Sequence, residues 1–318
     1  MSIAFFKMTT PGSTPLVSLI TVNYNSTPVT LDLLRSIQKH PYPNLEVIVV
    51  DNASQQDPTN ELCAIMPEVK VIRSASNLGF AGGNNLGIAQ ANGAYLLFIN
   101  NDTEITSGAI EQLVRTLQAH PDAGAVSPKF HYYFHPGIIE YAGYNPMNFF
   151  TARATMRGNK ELDNGRYNEL SETSYAHGGG MMVPAAIIKD IGVMPDNYFL
   201  YYEELDWCEI MKRKKYKIYY DPGALIHHKE SMTTGKTSTL KTYYLNRNRI
   251  LFIRRNANFH QQLVFIVYFM FITLPKNALV YLLKGEWKHL QSFYKAITWH
   301  FSNPAHYEDR NRGTTLIP

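Results

Sequence analysis

The chain has 318 residues, of which 45% are hydrophobic and 18% are charged, and its formal net charge is +4 at pH 7. This length suits one large α/β domain with an appendage, and the composition excludes a low-complexity chain. The small positive charge gives no support for nucleic acid as a partner of the whole chain.

The cysteine spacing and the N-terminal residues indicate the redox environment and the targeting of the chain. Cys63 and Cys208 lie far apart and form no CxxC pair, so we interpret them as buried thiols in a reducing compartment. Residues 1–15 lack a long apolar core and a small-residue cleavage site, and we interpret them as a flexible leader rather than a signal peptide.

Apolar runs and helical patterns alternate through the first third of the chain. Strands are predicted at 16–25, 45–50, 69–72 and 96–99, with helices that include 30–40 and 107–120. Such alternation with short connections predicts three layers around a parallel sheet. The first, second and fourth strands end in polar residues, which places these residues at one edge of the sheet, where ligands bind in α/β folds.

Asp102 is the most informative of these strand-end residues. It follows the fourth strand within Asn100-Asn101-Asp102-Thr103, and a carboxylate there could hold Mg²⁺ or Mn²⁺ against a diphosphate. The alternative is a turn that only caps the helix at 107–120. Asp51 directly follows the second strand, where it could accept a hydrogen bond from a ribose hydroxyl or a base N–H.

Two glycine-rich stretches are further candidates for backbone contact with a ligand. Gly79 to Gly83 is predicted to precede a helix and to offer amide donors to phosphate, although it is neither a GxGxxG motif nor a P-loop and an ordinary turn remains the alternative. Residues 178–180 lead into an apolar strand, which indicates close packing on a ligand or a helix. Between them, the irregular aromatic stretch 129–175 is interpreted as a functional insert.

An acidic cluster, Glu203, Glu204 and Asp206, lies at the start of a further predicted helix. These carboxylates could simply favour the helix dipole, but the flanking aromatic residues could also raise the pKa of a general base, which we favour. Further on, the predicted strand at 224–231 carries His228 near its end. This histidine could complete the coordination of a divalent cation shared with Asp102.

The C-terminal part of the chain differs in character. Residues 243–255 mix basic and aromatic side chains on a predicted helix, and an apolar run follows at 263–274. That run is shorter than the roughly 20 residues needed to cross a bilayer, and Pro275 interrupts it. We therefore predict an in-plane helix at a membrane surface. The alternative is a helix buried against the catalytic domain or a dimer partner.

With these motifs in order, residues 17–256 resemble the inverting family-2 glycosyltransferases, and within them the rhamnosyltransferase-like branch. The opening strand resembles the family's first nucleotide-binding strand, and Asp51-Asn52-Ser54 resembles its base- and ribose-binding turn. Residues 77–85 resemble its NxGFaGgnN loop. Asn100-Asn101-Asp102 stands at the DxD-type metal motif, of which only the final Asp is present.

The remaining two motifs lie in the second half. Glu203-Glu204-Leu205-Asp206 resembles the ED-x-D motif, whose second acid acts as the base, and His228-Lys229-Glu230-Ser231 resembles the HKxS segment, whose histidine helps to hold the metal. The base position carries Glu204 where Asp is more usual, which makes Asp206 a competing candidate. His177 and Gly179 differ from the Thr and Cys expected in the glycine stretch, so the acceptor stays open.

The resemblance implies a GT-A fold, with a Rossmann-like, mainly parallel central sheet flanked by helices and a C-terminal helical appendage. It implies Mg²⁺ or Mn²⁺ at Asp102 and His228, and catalytic roles for Glu204, Asp206 and Glu203. Acceptor contacts are predicted at His177, Gly178, Gly179 and Trp207. Donor contacts are predicted at Thr21, Asn23, Tyr24, Asp51, Asn77, Gly79, Asn84, Asn100, Asn101 and Asp102.

The predicted domain organisation is a leader at 1–15, a catalytic domain at 16–242 and a helical region at 243–318. The catalytic domain divides into a nucleotide-binding half at 16–128 and an acceptor-binding half at 129–242. The expected reaction moves a sugar, such as rhamnose, from a dTDP- or UDP-linked donor to a glycan or lipid-linked glycan in polysaccharide assembly.

The expected location is cytoplasmic, on the inner face of the cell membrane, with a homodimer left open and no nucleic acid as partner. A sugar-nucleotide nucleotidyltransferase is one alternative, but the first strand is followed by Asn23-Tyr24-Asn25-Ser26 rather than a basic glycine-rich stretch. A non-catalytic sugar-nucleotide-binding relative is the other.

Overall fold

One mixed sheet of ten strands forms the centre of the fold. The computed structural model describes residues 14–229 and 238–303, and Glu230 and Ser231 of the predicted HKxS segment, like most of the predicted leader, lie outside these ranges. The strands are β1 Val17–Asn23, β2 Leu45–Asp51, β3 Lys70–Arg73, β4 Tyr95–Ile99, β5 Thr103–Ile105, β6 Ala123–Tyr132, β7 Ile139–Tyr141, β8 Ser171–Glu172, β9 Gly180–Pro184 and β10 Lys217–His228.

Helices cover both faces of this sheet and form the C-terminal region. They are α1 Thr27–Lys39, α2 Thr59–Ile65, α3 Gly79–Ile88, α4 Ala109–Ala119, α5 Ala185–Ile191, α6 Glu203–Arg213, α7 Thr239–Asn256, α8 Phe259–Tyr268, α9 Leu274–Leu283 and α10 Trp287–Ser302. A 3₁₀ turn at Asp196–Tyr198 precedes α6, and a π-helical turn at Phe269–Thr273 joins α8 to α9.

The strand order explains why polar residues converge at one edge. The order is β3-β2-β1-β4-β9-β6-β10-β5, and β1 pairs in parallel with both β2 and β4. Because Asn23 stands opposite Asp51 in this register, the ends of β1 and β2 lie side by side. β9 runs antiparallel to β4 and β5 runs antiparallel to β10, so the sheet is mainly but not wholly parallel.

Two apolar layers hold the helices on the sheet. On one face, Leu33 of α1, Leu62 of α2 and Leu113 of α4 pack in a common core with strand residues. On the other face, residues of α5, α6 and α7 pack together with Ile20, Phe98 and Met181. The strands are apolar on both faces because both are covered, as expected for central strands of a three-layer fold.

The α/β prediction is confirmed, with four differences in detail. Helix α3 begins at Gly79, so the glycines predicted to precede a helix lie inside its first turns. β6 crosses the predicted division between residues 128 and 129, and the two strands predicted in 217–231 form one bulged strand, β10. Cys208 is buried as predicted, whereas Cys63 is only half-buried.

The prediction of a broken apolar segment near Pro275 is wrong. α8, the π-helical turn and α9 form one continuous helix of 25 residues, Phe259–Leu283, which is long and apolar enough to cross a membrane by length and composition alone. Proline removes one helical hydrogen bond and crowds the preceding turn, and the wider π-helical turn before it accommodates both effects. Phe265 and Phe269 of this helix pack against Phe293 of α10.

Candidate active site

A hydrogen-bonded chain of polar side chains joins the ends of β1, β2 and β4. The Asn101 side-chain amide donates to the Thr30 hydroxyl (2.9 Å), which donates to Asn23 Oδ1 (2.9 Å). Asn23 in turn donates to Asp51 Oδ1 (2.9 Å). Asn23, Asn101 and Asp51 are all buried, so their first role is to hold these strand ends in a fixed arrangement.

Asp51 is held from its second oxygen as well. Arg73 Nε lies 3.2 Å from Asp51 Oδ2, and the backbone N–H of Ser54 donates to the same oxygen (3.3 Å). Tyr24, the next residue after β1, is 39% exposed and lies at the same edge. The edge thus combines a fixed carboxylate, an exposed arginine paired with it and an exposed aromatic ring.

Asp102 and His228 come together from distant parts of the chain. His228 Nε2 lies 3.1 Å from Asp102 Oδ1, and His228 Nδ1 lies 2.8 Å from Glu140 Oε2. Burial alone would lower the pKa of His228, but its hydrogen bonds to the two carboxylates and their charges raise that pKa to about 10. The imidazole therefore carries positive charge between Asp102 and Glu140.

The predicted acceptor stretch lies directly beside this group. His177 Nδ1 accepts a hydrogen bond from the Gly179 N–H (3.0 Å), and His177 Nε2 points to Glu140 at 3.7 Å. Burial lowers the pKa of His177 to about 4, so this ring is neutral. The Gly179 carbonyl accepts from the Asn100 N–H (3.0 Å), which fastens the stretch to the end of β4.

Glu204 faces the same stretch from the N-terminus of α6. A Cβ atom on Gly178 would lie 3.4 Å from Glu204 Cδ, so the carboxyl group packs on the glycine backbone. Burial raises the pKa of Glu204 to about 7, although the backbone N–H groups of residues 202, 204 and 205 act to lower it. Its side chain is half-buried, which leaves one side open to solvent. A carboxylate with this pKa can accept a proton near neutral pH.

The Gly79 stretch holds the segment before α6 in place. The Asn52 side chain accepts from the Leu78 N–H (2.9 Å) and donates to the Gly79 carbonyl (2.9 Å). Gly79 has φ +74°, and a Cβ atom there would meet the Phe199 carbonyl oxygen at 2.1 Å. The Phe80 N–H donates to that oxygen. Gly79 therefore packs against residue 199, and phosphate binding by this glycine stretch stays a prediction.

Asn77 and Asn84 belong to the same packing arrangement. The Asn77 Oδ1 atom accepts from the Gly79 N–H (2.9 Å) and from the Asn52 side chain (3.0 Å). Asn84 is buried in α3 and donates to the Phe80 carbonyl (3.0 Å). Both asparagines thus stabilise the turn and the helix that carry Gly79.

Four other predicted site residues lie away from the open edge. Asp206 is fully buried and paired with Arg255 (2.7 Å) and Asn256 (2.6 Å), so it is not available as the base. Trp207 is fully buried, packs on Phe98 and cannot reach an acceptor.

Thr21 and Glu203 are the other two. Thr21 is fully buried in β1, two residues before its end, and its hydroxyl has no hydrogen-bond partner among the described residues. Glu203 is buried as well, and burial together with the charge of Glu204 raises its pKa well above the usual range. Both side chains are thus enclosed by the protein rather than exposed at the open edge.

Sequence reasoning missed Glu140 and Arg73, and it assigned Asn52 to a base- and ribose-binding turn, whereas the Asn52 side chain bonds the Leu78 and Gly79 backbone. Glu140 is nearly fully buried in the short strand β7 between apolar neighbours, and an acid in such a run is the signal that could have drawn attention to it. Arg73 directly follows a predicted strand but carries no distinctive spacing. The partners of Arg73 and Asn52, which are Asp51 and the Asn77 turn, become visible only in the folded chain.

The α/β fold and the polar side chains at the open edge of the sheet are those of a transferase that uses nucleotide sugars. The sequence comparison identifies the family. The profile described as Glycosyl transferase family 2 matches residues 18–183, which is more than half of the chain, and the chain belongs to this family. It is a glycosyltransferase enzyme with the GT-A fold, so the predicted fold class and enzyme class are confirmed.

Three similar proteins illustrate the range of relatives. The low-salt glycan biosynthesis hexosyltransferase Agl10 of Haloferax volcanii is 27% identical over 243 residues, covering 74% of each chain. The mannosyltransferase PcManGT of Pyrobaculum calidifontis, solved with GDP-Man and Mn²⁺, gives a TM-score of 0.56 at 16% identity over 92% of this chain and 76% of that one. GalNAc-T7, solved with UDP, GalNAc and Mn²⁺, gives 0.58 at 14% identity over 76% of this chain; the match spans about half (52%) of the GalNAc-T7 chain.

The side-chain atoms that Asp102 and His228 offer as metal ligands suit a divalent cation. Within residues 14–229 and 238–303, no group of three or more His, Cys, Asp or Glu side chains is arranged to hold an ion. Asp102 supplies a hard oxygen, and His228 supplies a ring nitrogen once Nε2 has lost the proton that it shares with Asp102. Mg²⁺ or Mn²⁺ at nucleotides takes most of its other ligands from phosphate and water. Glu140 on His228 Nδ1 provides the carboxylate that orients a ligating imidazole.

Proposed function

We propose that this glycosyltransferase is metal-dependent and inverting, and that it moves a sugar from a UDP- or dTDP-linked donor to a hydroxyl of a glycan or lipid-linked glycan. The observation that carries the proposal is Glu204, a carboxyl group with a pKa of about 7 that packs on Gly178 beside the His177, Glu140 and His228 group. Glu204 thus supplies a single general base next to a single candidate metal site.

The chemistry needs only one displacement. Glu204 accepts the proton of the acceptor hydroxyl while the hydroxyl oxygen attacks the anomeric carbon, and the bond from that carbon to the nucleotide diphosphate breaks. Attack from the face opposite the leaving group inverts the configuration, so no covalent nucleophile is required. General base catalysis of this kind contributes about 10²–10⁴-fold to the rate.

Asp102 and His228 are the residues we assign to the cation. A divalent ion at a donor diphosphate neutralises charge on the leaving nucleotide. The Mn²⁺ in the GalNAc-T7 and PcManGT structures supports this assignment by analogy of fold. Glu140 fixes which ring nitrogen of His228 is turned toward Asp102, because it accepts a hydrogen bond from the other nitrogen.

The donor is assigned to the edge formed by β1, β2 and β4. We propose that the exposed Tyr24 ring stacks on the nucleobase, that Asp51 with Arg73 contacts the base or ribose, and that Asn100 lies near the diphosphate. The resemblance of the chain to the rhamnosyltransferase-like branch favours a dTDP-linked 6-deoxysugar. Gly178 and Gly179 then line the acceptor side.

A lipid-linked acceptor agrees with the exposed apolar helix in the C-terminal region. Phe259, Phe271 and Leu283 are strongly exposed along the 25-residue helix, and Trp287 follows it. Lys276 lies within the helix, and a charge at that depth is costly in a bilayer core, so we propose that the helix lies in the membrane surface on the cytoplasmic side.

Flotation of the full chain with vesicles tests this location. Vesicles with 30% anionic lipid should carry the protein upward, and carbonate at high pH should release it. Retention after carbonate would instead indicate a spanning helix, and failure to float would remove membrane contact, leaving packing against a second copy of the chain for the exposed face.

The decisive test of function is Glu204→Gln. Transfer or nucleotide release from a panel of UDP- and dTDP-sugars should fall by about 10²–10⁴-fold, while Mn²⁺-dependent binding of UDP or dTDP stays within threefold. Glu209→Gln, on the same helix, is the matched control. Substantial transfer by Glu204→Gln would refute the base assignment, and a wild-type protein that binds but never transfers would indicate a non-catalytic relative.

A further inference from the structure

The segment that leads into Glu204 has an unfavourable backbone conformation. Phe199, Tyr201 and Tyr202 have φ angles of +65°, +70° and +77°, in the left-handed region that non-glycine residues rarely adopt. Glu203 and Glu204 follow directly as the first residues of α6. Such a conformation persists only where surrounding contacts hold it, and it is common next to functional residues.

Asn248 of α7 supplies the densest of these contacts. Its side chain is fully buried, and its Nδ2 atom lies within hydrogen-bond distance of the carbonyl oxygens of Tyr198 (2.9 Å), Leu200 (2.7 Å) and Tyr201 (2.8 Å). An amide group has two hydrogens, so at least one of them is shared between two acceptors. One side chain therefore fixes three carbonyl groups within residues 198–202, which we call the left-handed segment.

Arg247 fixes Asn248 and the start of the same segment. The Arg247 Nε–H donates to Asn248 Oδ1 (2.7 Å), which orients the amide so that its NH₂ group faces the carbonyls. The Arg247 guanidinium also donates to the carbonyls of Asn197 (2.9 Å) and Tyr198. The Tyr198 carbonyl thus accepts hydrogen bonds from both Arg247 and Asn248.

The segment is held from its other side by α3. The Phe80 N–H donates to the Phe199 carbonyl (2.6 Å), and Asn85 of α3 exchanges two hydrogen bonds with the Met194 backbone (2.8 and 3.1 Å). Residues 194–201 are therefore clamped between α3 of the catalytic domain and α7 of the C-terminal region. The Glu204 carboxyl group already receives backbone N–H groups at the start of α6. Capping of this helix therefore does not explain the additional contacts from α3 and α7.

We propose that Asn248, oriented by Arg247, is a positioning residue that keeps residues 198–202 in the conformation that presents Glu204 to Gly178. The proposal rests on the assignment of Glu204 as the base. It gives a role to the Arg-Asn pair in the basic and aromatic stretch at 243–255. It also connects the base to the C-terminal helices, because the Trp299 ring stacks on Arg247 and the His300 ring contacts its carbonyl (2.9 Å).

The environment of Glu204 makes its displacement measurable. The titratable groups that interact with it are Glu203 and Cys208 of α6, Tyr202 of the left-handed segment, and Tyr144. Enclosure of the carboxyl group is the main cause of its raised pKa. If the segment relaxes, water reaches Glu204 and its pKa falls towards the ordinary value for a glutamate.

The test compares Asn248→Leu with Asn246→Leu in the full chain. Leu has the same branched heavy-atom framework as Asn but makes no hydrogen bond. Asn246 lies on the same helix, where its side chain donates to the Thr242 carbonyl of α7 (2.8 Å). Asn248→Ser and Asn246→Ser form a second, smaller pair. Proteins labelled with [¹³C]glutamate are titrated by NMR, and the Glu204 signal is the one that Glu204→Gln removes.

We expect Asn248→Leu and Asn248→Ser to lower the titration midpoint of Glu204 by at least about one pH unit, and the Asn246 variants to leave it within about 0.2. In a turnover assay, Asn248→Leu should lower kcat at least tenfold while Mn²⁺-dependent UDP binding stays within threefold. A folded Asn248 variant with an unchanged midpoint would overturn the proposal. So would unfolding of both Asn248 variants under conditions where the Asn246 variants fold, because that result would mean a role in global stability.

The two levels of the argument fail in different ways. If Glu204→Gln retains transfer, the base assignment fails, whatever the Asn248 variants do to the titration. If Glu204→Gln abolishes transfer while Asn248→Leu keeps the wild-type midpoint and kcat, the base assignment holds and the positioning role fails.

Discussion

The two sides of the candidate active site are built by different means. On the donor side, the polar groups sit at the ends of paired strands, and the sheet register places them; His228 stands opposite Thr103, the residue after Asp102. On the base side, Glu204 follows a left-handed segment clamped by α3 and α7. The first side depends on the register of paired strands, whereas the second depends on contacts that α3 and α7 make with one irregular segment, between residues 47 to 120 positions apart.

This difference predicts which positions tolerate a substitution and which do not. A sheet edge holds each of its residues through many backbone hydrogen bonds, so one side-chain change there should alter chemistry more than structure. A strained segment depends on a few side chains and one glycine, so a change at a clamp should alter structure and chemistry together. The following experiments separate these two behaviours.

Among the changes on the donor side, the largest effect is expected from Asp102→Asn. The amide removes the negative charge that a divalent cation needs but preserves shape, so transfer should fall by about 10²–10³-fold and Mn²⁺ should no longer strengthen UDP binding. Unfolding temperature should change little. Asp122→Asn, at an exposed surface position, is the control. Unchanged Mn²⁺-dependent UDP affinity in Asp102→Asn would contradict the assignment.

On the base side, Gly79→Ala tests the clamp from α3. The added Cβ would overlap the Phe199 carbonyl, whereas at Gly108, which has nearly the same φ (+75°), a Cβ meets nothing within 4 Å. Gly108→Ala should therefore cost only the backbone strain, ~1–2 kcal/mol. Gly79→Ala should cost at least about 2 kcal/mol more in the free energy of unfolding measured with urea. Equal losses would show that residue 199 is free to move.

The same contrast explains what could be predicted from the sequence. Parallel strands bring their carboxyl ends to one edge, so Asp51 and Asp102 could be placed together from strand patterns alone. His228 was paired with Asp102 from its position near the end of a predicted strand, and the family resemblance implied the same pair; His228 Nε2 lies 3.1 Å from Asp102 Oδ1. The continuous helix across Pro275 was missed because a proline in a pattern does not reveal a π-helical turn.

The base side could be predicted only in part. Trp207 was predicted to contact the acceptor, but it lies four residues after Glu203, so both share the inward face of α6, and Trp207 packs on Phe98 instead. The packing role of Gly79 depends on Phe199, 120 residues further along, and no local pattern reveals it. Glu140 was missed because its partner, His228, is 88 residues away.

A smaller effect is expected from Glu140→Gln, which changes the residue behind His228. Gln can still accept a hydrogen bond from His228 Nδ1 but carries no charge, so Mn²⁺ affinity in the presence of UDP should fall about 10–100-fold. Glu161→Gln, at an exposed position, serves as the control. Calorimetric titration of Mn²⁺ measures both, and equal affinities would remove Glu140 from the metal site.

The smallest effect concerns stability. Because the pKa of Glu204 is about 7 in the folded chain and near 4.5 in the unfolded chain, the folded state retains a proton that the unfolded state releases between these values. Stability of the wild type should therefore fall as pH rises from 4.5 to 7, by ~1–3 kcal/mol, and Glu204→Gln should lack this loss. Urea unfolding at pH 5 and pH 8 measures the difference. If Glu204→Gln changes the free energy of unfolding by the same amount at pH 5 and at pH 8, this result would contradict the raised pKa of Glu204.

The central claim is that the cation site on the donor side and the base on the other side face one cleft. Paramagnetic broadening tests this claim most directly: Mn²⁺ and UDP are added to [¹³C]glutamate-labelled protein, with Mg²⁺ as the diamagnetic reference. We predict strong broadening of the Glu204 signal, and loss of that broadening in Asp102→Asn. A Glu204 signal that stays sharp while Mn²⁺ and UDP are bound would contradict the account.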